Sequence, residues 1–283
     1  MEPSQRGKLI LCATPIGNLG DITLRVIEAL KNCDMVAAED TRHSGRLLRH
    51  LEISRPMLSY HEHNRQSAGE KILSMLEEGK VIALVTDAGT PGISDPGMQV
   101  AAEAKEAGFA VEVLPGPSAV TMALTVSGMD TGRFVFEGFL PAKGQERELR
   151  LMELRGEKRT MVLYEAPHRL LRTLEDLKGV LGGQRQMALC RELTKLHEQV
   201  MRLCIDEMVE HYREHEPRGE MVLVIEGEKE EASDADAHRV IRDLLDRGLG
   251  TRASAKEAAR LLQISAGEAY RMALDILNED GGP

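Results

Sequence analysis

The chain has 283 residues, of which 42% are apolar, 29% charged and 3% aromatic, with a net charge of −10 and four cysteines. That length gives a prior of about two domains, and the composition excludes a wholly disordered or coiled-coil chain. The acidic balance excludes a globally basic nucleic-acid coat, the shortage of aromatics argues against a base-stacking platform, and no C-x-x-C pair suggests a zinc site or a disulfide framework.

Short apolar runs alternate with helical patterns from Lys8 onward. The run 9–13 reads as a strand; it is too short for a signal-peptide core or a membrane span, so a soluble, cytoplasmic protein is expected. A helix follows, capped by Asp21, with Leu24, Ile27 and Leu30 on one face. Next come a strand at 35–38, a helix over 41–52, a strand at 57–60 and a helix over 65–79. Val81-Ile-Ala-Leu-Val85 is apolar throughout, as suits a strand covered on both faces. A helix over 98–107 ends at Gly108, a good residue to follow a helix C-terminus, and a strand at 111–114 closes the series. Repeated β-α units imply an open, mostly parallel sheet with helices on both faces.

Beyond residue 119 strands outnumber helices. Strands are expected at 134–139, 160–164, 187–191, 199–203 and 221–226, with helices at 145–155, 167–179 and 205–214. Glu228-Lys-Glu-Glu-Ala-Ser-Asp-Ala-Asp236 reads as an acidic linker, and helices at 237–247, 252–262 and 266–279 follow it. The predicted fold class is α/β. An N-terminal α/β domain spans 1–117, a second domain with a mixed sheet spans 118–228, and a small helical tail spans 234–283. The last two helices, joined by a short turn, suit a helix-turn-helix and equally any packed helical pair.

Three loops directly follow predicted strands: Thr14-Pro-Ile-Gly-Asn-Leu-Gly20, Asp87-Ala-Gly-Thr-Pro-Gly-Ile-Ser-Asp-Pro-Gly97 and Pro115-Gly-Pro-Ser-Ala119. Open α/β sheets bind ligands at this edge, where glycine lets backbone approach a ligand and proline fixes its path. None of the loops is a phosphate-cradling P-loop, and a dinucleotide fingerprint is weak. Two polar clusters, Glu39-Asp-Thr-Arg-His43 and Ser59-Tyr-His-Glu-His-Asn64, follow the second and third strands. His61 and His63 at i, i+2 would point to opposite faces of a strand, so no metal site is expected. Tyr164-Glu-Ala-Pro-His-Arg169 and Arg191-Glu-Leu-Thr-Lys195 end strands of the second region and could wall a cleft.

These motifs are specific when taken together and in order. With Glu137-Gly-Phe-Leu-Pro141 and Gly219-Glu-Met-Val-Leu-Val-Ile-Glu-Gly227 added, the chain from about 8 to 227 resembles the tetrapyrrole methylase superfamily, in its branch that modifies ribosomal RNA. The resemblance implies S-adenosylmethionine as cofactor and methyl transfer to the ribose 2′-hydroxyl of a cytidine in the decoding region of 16S rRNA. It also implies a homodimer, with the cofactor between the two α/β domains of each chain. Carried over, it places Pro15, Gly17, Gly89, Thr90, Ile93, Ser118, Ala119, Tyr164 and Met221 around the cofactor. Thr90 stands where some relatives carry an acid, leaving Asp87 to supply that polar contact.

A ribose hydroxyl is a poor nucleophile while protonated, so a nearby proton acceptor is needed. Asp40, His61, Glu62 and Glu165 are candidates. Glu165 and Asp40 rank first because both directly follow predicted strands; pairing with Arg169 and Arg42 is the competing reading of each. Arg42, His61, Asn64, Arg169 and Lys195 are the expected substrate contacts. RNA contact must be local: residues 143–159 hold six Lys or Arg against four Glu, and the tail carries Arg239, Arg242, Arg247, Arg252, Lys256 and Arg260. A methylase of a tetrapyrrole or other small molecule, and a non-enzymatic metabolite-sensing nucleic-acid binder, are the alternative readings.

Overall fold

In the computed structural model, residues 7–94, 97–228, 234–262 and 264–280 are described. Asp95 and Pro96 of the second glycine loop, and residues 229–233 of the acidic linker, lie outside the described residues. The chain divides after Gly227 into two compact units.

The first sheet contains β1 (Lys8–Cys12), β2 (Met35–Ala38), β3 (Met57–Ser59), β4 (Val81–Val85) and β5 (Ala110–Leu114) in the order β3-β2-β4-β1-β5. Every pairing is parallel. Side chains alternate across a strand, so β1 feeds two cores. Ile10 and Cys12 pack with Val26 and Leu30 of α1 (Leu24–Asn32) and Leu48 of α2 (Thr41–His50). Leu9 and Leu11 pack on the other face with Ile72 and Leu76 of α3 (Arg65–Glu77) and Val100 of α4 (Met98–Glu106). Each fully buried Leu contributes roughly 1.5–3 kcal/mol, so both layers are held strongly. As the sequence suggests, α4 is followed by Gly108, at φ 79°.

Two local expectations change. Thr23, not Asp21, caps α1: its Oγ1 accepts from the Val26 N–H at 3.3 Å. Asp21 instead closes a short 3₁₀ turn, Leu19–Asp21. His61 and His63 do not alternate on a strand; His61 precedes a 3₁₀ turn at Glu62–Asn64 and His63 lies within it, with ring centroids 6.0 Å apart.

The helix α5 (Ala119–Ser127), absent from the predicted elements, opens the second half of this unit. The second sheet contains β6 (Phe134–Phe139), β7 (Thr160–Glu165), β8 (Gln186–Arg191), β9 (Gln199–Cys204) and β10 (Met221–Ile225) in the order β6-β7-β10-β8-β9. It is mixed: β6 and β7 are parallel, while β10 runs antiparallel to both β7 and β8. One face is covered by α6 (Gln145–Leu154), α7 (Pro167–Leu181) and α8 (Ile205–Glu214). The other packs on α5 and on Ile16 from the loop after β1.

The second unit is a three-helix bundle of α9 (Asp234–Asp246), α10 (Thr251–Leu262) and α11 (Ala266–Asp280). Small residues Ala255, Ala258, Ala269 and Ala273 let its helices approach closely around Ile241 and Ile276. Among the described residues, no helix is long and apolar enough to cross a membrane.

Candidate active site

The three glycine loops converge at the carboxyl edge of the first sheet. Thr14 and Gly89 exchange backbone hydrogen bonds of 2.9 and 3.0 Å, joining the first loop to the second. The Thr14 hydroxyl, itself buried, donates to the Thr86 carbonyl at 3.1 Å. Thr90 Oγ1 donates to the Pro117 carbonyl at 3.1 Å and ties the second loop to the third. Two glycines make this possible. Gly89 sits at φ 81°, where L side chains are strained, and a Cβ on Gly116 would come within 2.8 Å of the Ala13 Cβ.

The second sheet brings a complementary edge. Because β10 is antiparallel, its start lies beside the ends of β7 and β8. Met221 pairs with Glu165 and Arg191, and Val222 pairs with Tyr164 and Cys190. Between the two edges lies a cavity of about 390 Å³, within the usual size of a small-molecule site. Asp87, Gly89, Thr90, Ile93, Ser118, Ala119, Tyr164, Glu165 and Met221, all singled out from the sequence, line it. Sequence reasoning missed Ile16, Glu39, Phe139, Leu193 and Glu220, which line it too. Tyr164 is set edge-on to Phe136 and Phe139, with centroids 5.0 and 5.5 Å away.

The electrostatics of the cavity are acidic. Four carboxylates line it, those of Glu39, Asp87, Glu165 and Glu220, and no Lys, Arg or His among the described residues does. Two of the four are neutralised from outside. Lys195 reaches Glu220 at 3.0 Å, and Arg169 Nε lies 3.4 Å from Glu165. Glu39 and Asp87 form no ion pair among the described residues. Partial burial first, and then the Asp87 charge, push the Glu39 carboxyl above the ordinary carboxylate value. Cys190 also faces the cavity, but burial pushes its thiol up to about 12, so it offers no thiolate.

The remaining sequence candidates do not line the cavity. Pro15 and Gly17 flank Ile16, which does. Gly17 lies under the Lys195 side chain, so Lys195 serves as a cover for the first loop, paired with Glu192 at 2.8 Å. Asp40 caps α2: one carboxylate oxygen accepts from the Arg42 N–H at 2.8 Å, and the Arg42 guanidinium grips both. Those hydrogen bonds hold the Asp40 carboxyl down at about 2. Asn64 braces the turn after β3, accepting from the His61 N–H at 2.8 Å and donating to the Ser59 carbonyl at 3.0 Å. His61 is half-buried beside it.

Glu165 reaches the cavity wall but is spoken for. One of its oxygens accepts from the Ala166 N–H at 2.8 Å, the other from the Thr173 hydroxyl at 2.5 Å. Thr173 in turn accepts from Arg147, which also binds Asp176 at 2.8 Å and the Pro141 carbonyl at 3.0 Å. Arg169 donates to the Leu140 carbonyl at 2.5 Å. Arg147 and Arg169 thus anchor the segment after β6 rather than face outward. No group of three or more His, Cys, Asp and Glu able to hold a metal occurs among the described residues.

Comparison with known proteins agrees with this architecture. Residues 8–209 match the model of the tetrapyrrole (corrin/porphyrin) methylases. A Synechocystis sp. protein named ribosomal RNA small subunit methyltransferase I is 45% identical over 97% of this chain and 100% of its own length. A Thermotoga maritima protein of the same name is 44% identical over 79% of this chain and 100% of its own length. Among solved structures, cobalt precorrin-4 methyltransferase superposes with a TM-score of 0.62 over 80% of this chain and 97% of its own, at 17% identity. That likeness concerns the fold alone.

Proposed function

Because the chain belongs to the tetrapyrrole methylase family, we propose that it transfers a methyl group from S-adenosylmethionine to the RNA of the small ribosomal subunit. The acceptor in this reading is the ribose 2′-hydroxyl of a cytidine in the decoding region of 16S rRNA, and the working form is a cytoplasmic homodimer. The observation that carries the reading is the pair of carboxylates, Glu39 and Asp87, that face the cavity without a cationic partner among the described residues. Such a site favours a cationic ligand and repels a polyanion. It therefore suits a sulfonium donor and disfavours a tetrapyrrole bearing several carboxylates. The choice of rRNA follows the names of the relatives, one of which is about a fifth shorter than this chain.

When bound, S-adenosylmethionine supplies an already electrophilic methyl group, so the protein has mainly to place the nucleophile and take its proton. Gly89, Thr90, Ser118 and Ala119 would hold the donor with backbone and small side chains, and Asp87 would take its positive end. Ile93, Tyr164 and Met221 would wall it off from water. Pro15 and Gly17 would act indirectly, by setting Ile16. Arg42, His61 and Asn64 would meet the RNA outside the cavity, while Arg169 and Lys195 hold the walls.

The proton acceptor in this proposal is Glu39. Asp40 and Glu165, favoured by sequence position, spend their lone pairs on Arg42 and on the Thr173 and Ala166 donors. Glu39 accepts from the Asp87 backbone N–H but forms no ion pair among the described residues, and its raised pKa makes it a stronger base than an ordinary glutamate. The test is to incubate the protein with methyl-labelled donor and unmodified small subunits, then locate the label by mass spectrometry. A single 2′-O-methylcytidine in 16S rRNA is the expected product. Label on a base, on a tetrapyrrole offered in parallel, or nowhere would refute the reading.

A further inference from the structure

An acidic cavity cannot by itself attract a polyphosphate chain, so the grip on RNA must come from elsewhere on the surface. The basic segments that stand out in the sequence are partly neutralised. Within 143–159, Arg147 is buried on Asp176, Arg150 pairs with Glu137 and Glu153, and Arg159 pairs with Glu157. In the helical unit, Arg247 pairs with Asp243 and Arg260 with Glu257.

Helix α2 is different. Its ten residues include Arg42, His43, Arg46, Arg49 and His50 and no Asp or Glu. Arg42, Arg46 and Arg49 recur at i, i+4 and i+7 and form one exposed stripe, opposite the buried Ser44, Leu47 and Leu48. The helical rise sets them about 6 Å and then about 4.5 Å apart along the axis, close enough to serve neighbouring phosphates. Arg42 is tied to Asp40, but Arg46 and Arg49 have no acidic partner among the described residues. In a chain of net charge −10, such a helix is a local exception. It also starts two residues after Glu39, which lines the cavity.

We propose that the outer face of α2 is a phosphate-docking surface for the substrate RNA, with Arg46 and Arg49 each neutralising one backbone phosphate. The proposal rests on the rRNA reading above for the identity of the polyanion. Charge complementarity names the partner: the guanidinium groups fit phosphate oxygens, and the helix offers no apolar stripe on that side for a protein partner. Contacts of this kind position an RNA without reading its sequence.

The experiment compares wild type, R46E/R49E and R46K/R49K. Binding is measured to deproteinised 16S rRNA and, separately, to unmodified small subunits, across a series of KCl concentrations. Donor calorimetry on each variant reports that the fold is intact; if R46E/R49E does not fold, R46A/R49A replaces it with the same readouts. The expected result is at least a tenfold loss of affinity for naked rRNA, with a log–log salt slope shallower by about 1.4 to 1.8, as two phosphate contacts require. R46K/R49K should bind close to wild type. Unchanged binding to naked rRNA overturns the proposal. So does a loss confined to intact subunits, which would make the partner a ribosomal protein. Because binding is read without turnover, wild type that holds RNA through α2 yet transfers no methyl group would sink the functional reading and leave the docking surface standing.

Discussion

In the first sheet all five strands run the same way, so every strand-to-helix loop arrives at one edge. In the second, the ends of β6, β7 and β8 and the starts of β9 and β10 meet at the corresponding edge. The first edge gives the cavity glycine backbone, small hydroxyls and two carboxylates without an ion pair among the described residues. The second gives Phe139, Tyr164, Leu193, Met221 and Val222, a largely apolar wall. Their support differs as well. The first edge is stitched by the Thr14–Gly89 bridge and the Thr90–Pro117 bond, and the second by the buried chain from Glu165 through Thr173 to Arg147 and Asp176. A parallel edge can hold polar chemistry with its own backbone, whereas a mixed edge that offers fewer loops is fixed here by buried charge.

This contrast predicts that substitutions on the first edge strike catalysis and those behind the second strike stability. The largest effect is expected for Glu39→Gln: a loss in kcat of about 10²–10⁴, typical of a missing general base, with a smaller loss of donor affinity from the removed charge and with Tm little changed. The pH profile should change with it. Wild-type rate should rise as pH climbs through the raised Glu39 value, because the base must be ionised, and the variant should lose that limb. An unaltered kcat would remove Glu39 from the chemistry.

Next comes Arg147→Met, which removes the buried guanidinium from Asp176, from the Thr173 hydroxyl that bonds Glu165 and from the Pro141 carbonyl. Urea denaturation should show a loss of about 1–3 kcal/mol, while the folded protein keeps most of its kcat. A loss below about 1 kcal/mol would mean that the network is not what fixes this edge.

Gly116→Ala tests the first edge's backbone. The added Cβ meets Ala13, and relieving that contact must shift the third loop and the Pro117 carbonyl that receives Thr90. Overpacking of this kind costs about 1–3 kcal/mol, and donor affinity should fall about tenfold or more. Lys195→Met should have the smallest effect. Its ion pairs are partly exposed and the replacement still covers Gly17, so chemical denaturation should show a change below about 1 kcal/mol.

Most of the fold could be read from the sequence because the strands are short apolar runs and the helices carry clear polar faces. Helix α5 escaped because Ala119-Val-Thr-Met-Ala-Leu-Thr-Val-Ser127 has no charged residue to mark a period; it lies between the loops of one sheet and the face of the other. The glycine loops announced the cavity's first edge. Telling Glu39 from Asp40 depended on a capping rule that was available: an Asp directly before an amphipathic helix is a capping residue first. Arg147 read as part of a basic RNA-contacting segment and Arg169 as a substrate contact, because nothing in their local pattern reveals packing against Thr173 and the carbonyls after β6. Phe139, Leu193 and Glu220 sit inside motifs the sequence marked, but which side chain of each motif reaches the cavity is set by pairings distant in sequence.

The central claim is that the two edges together bind a sulfonium methyl donor. Isothermal titration of S-adenosylmethionine into the folded wild type and into Gly116→Ala tests it most directly. The account predicts saturable heat with one site per chain in wild type and at least about tenfold weaker binding in the variant. No heat from folded wild-type protein, or identical isotherms for the two proteins, would contradict it.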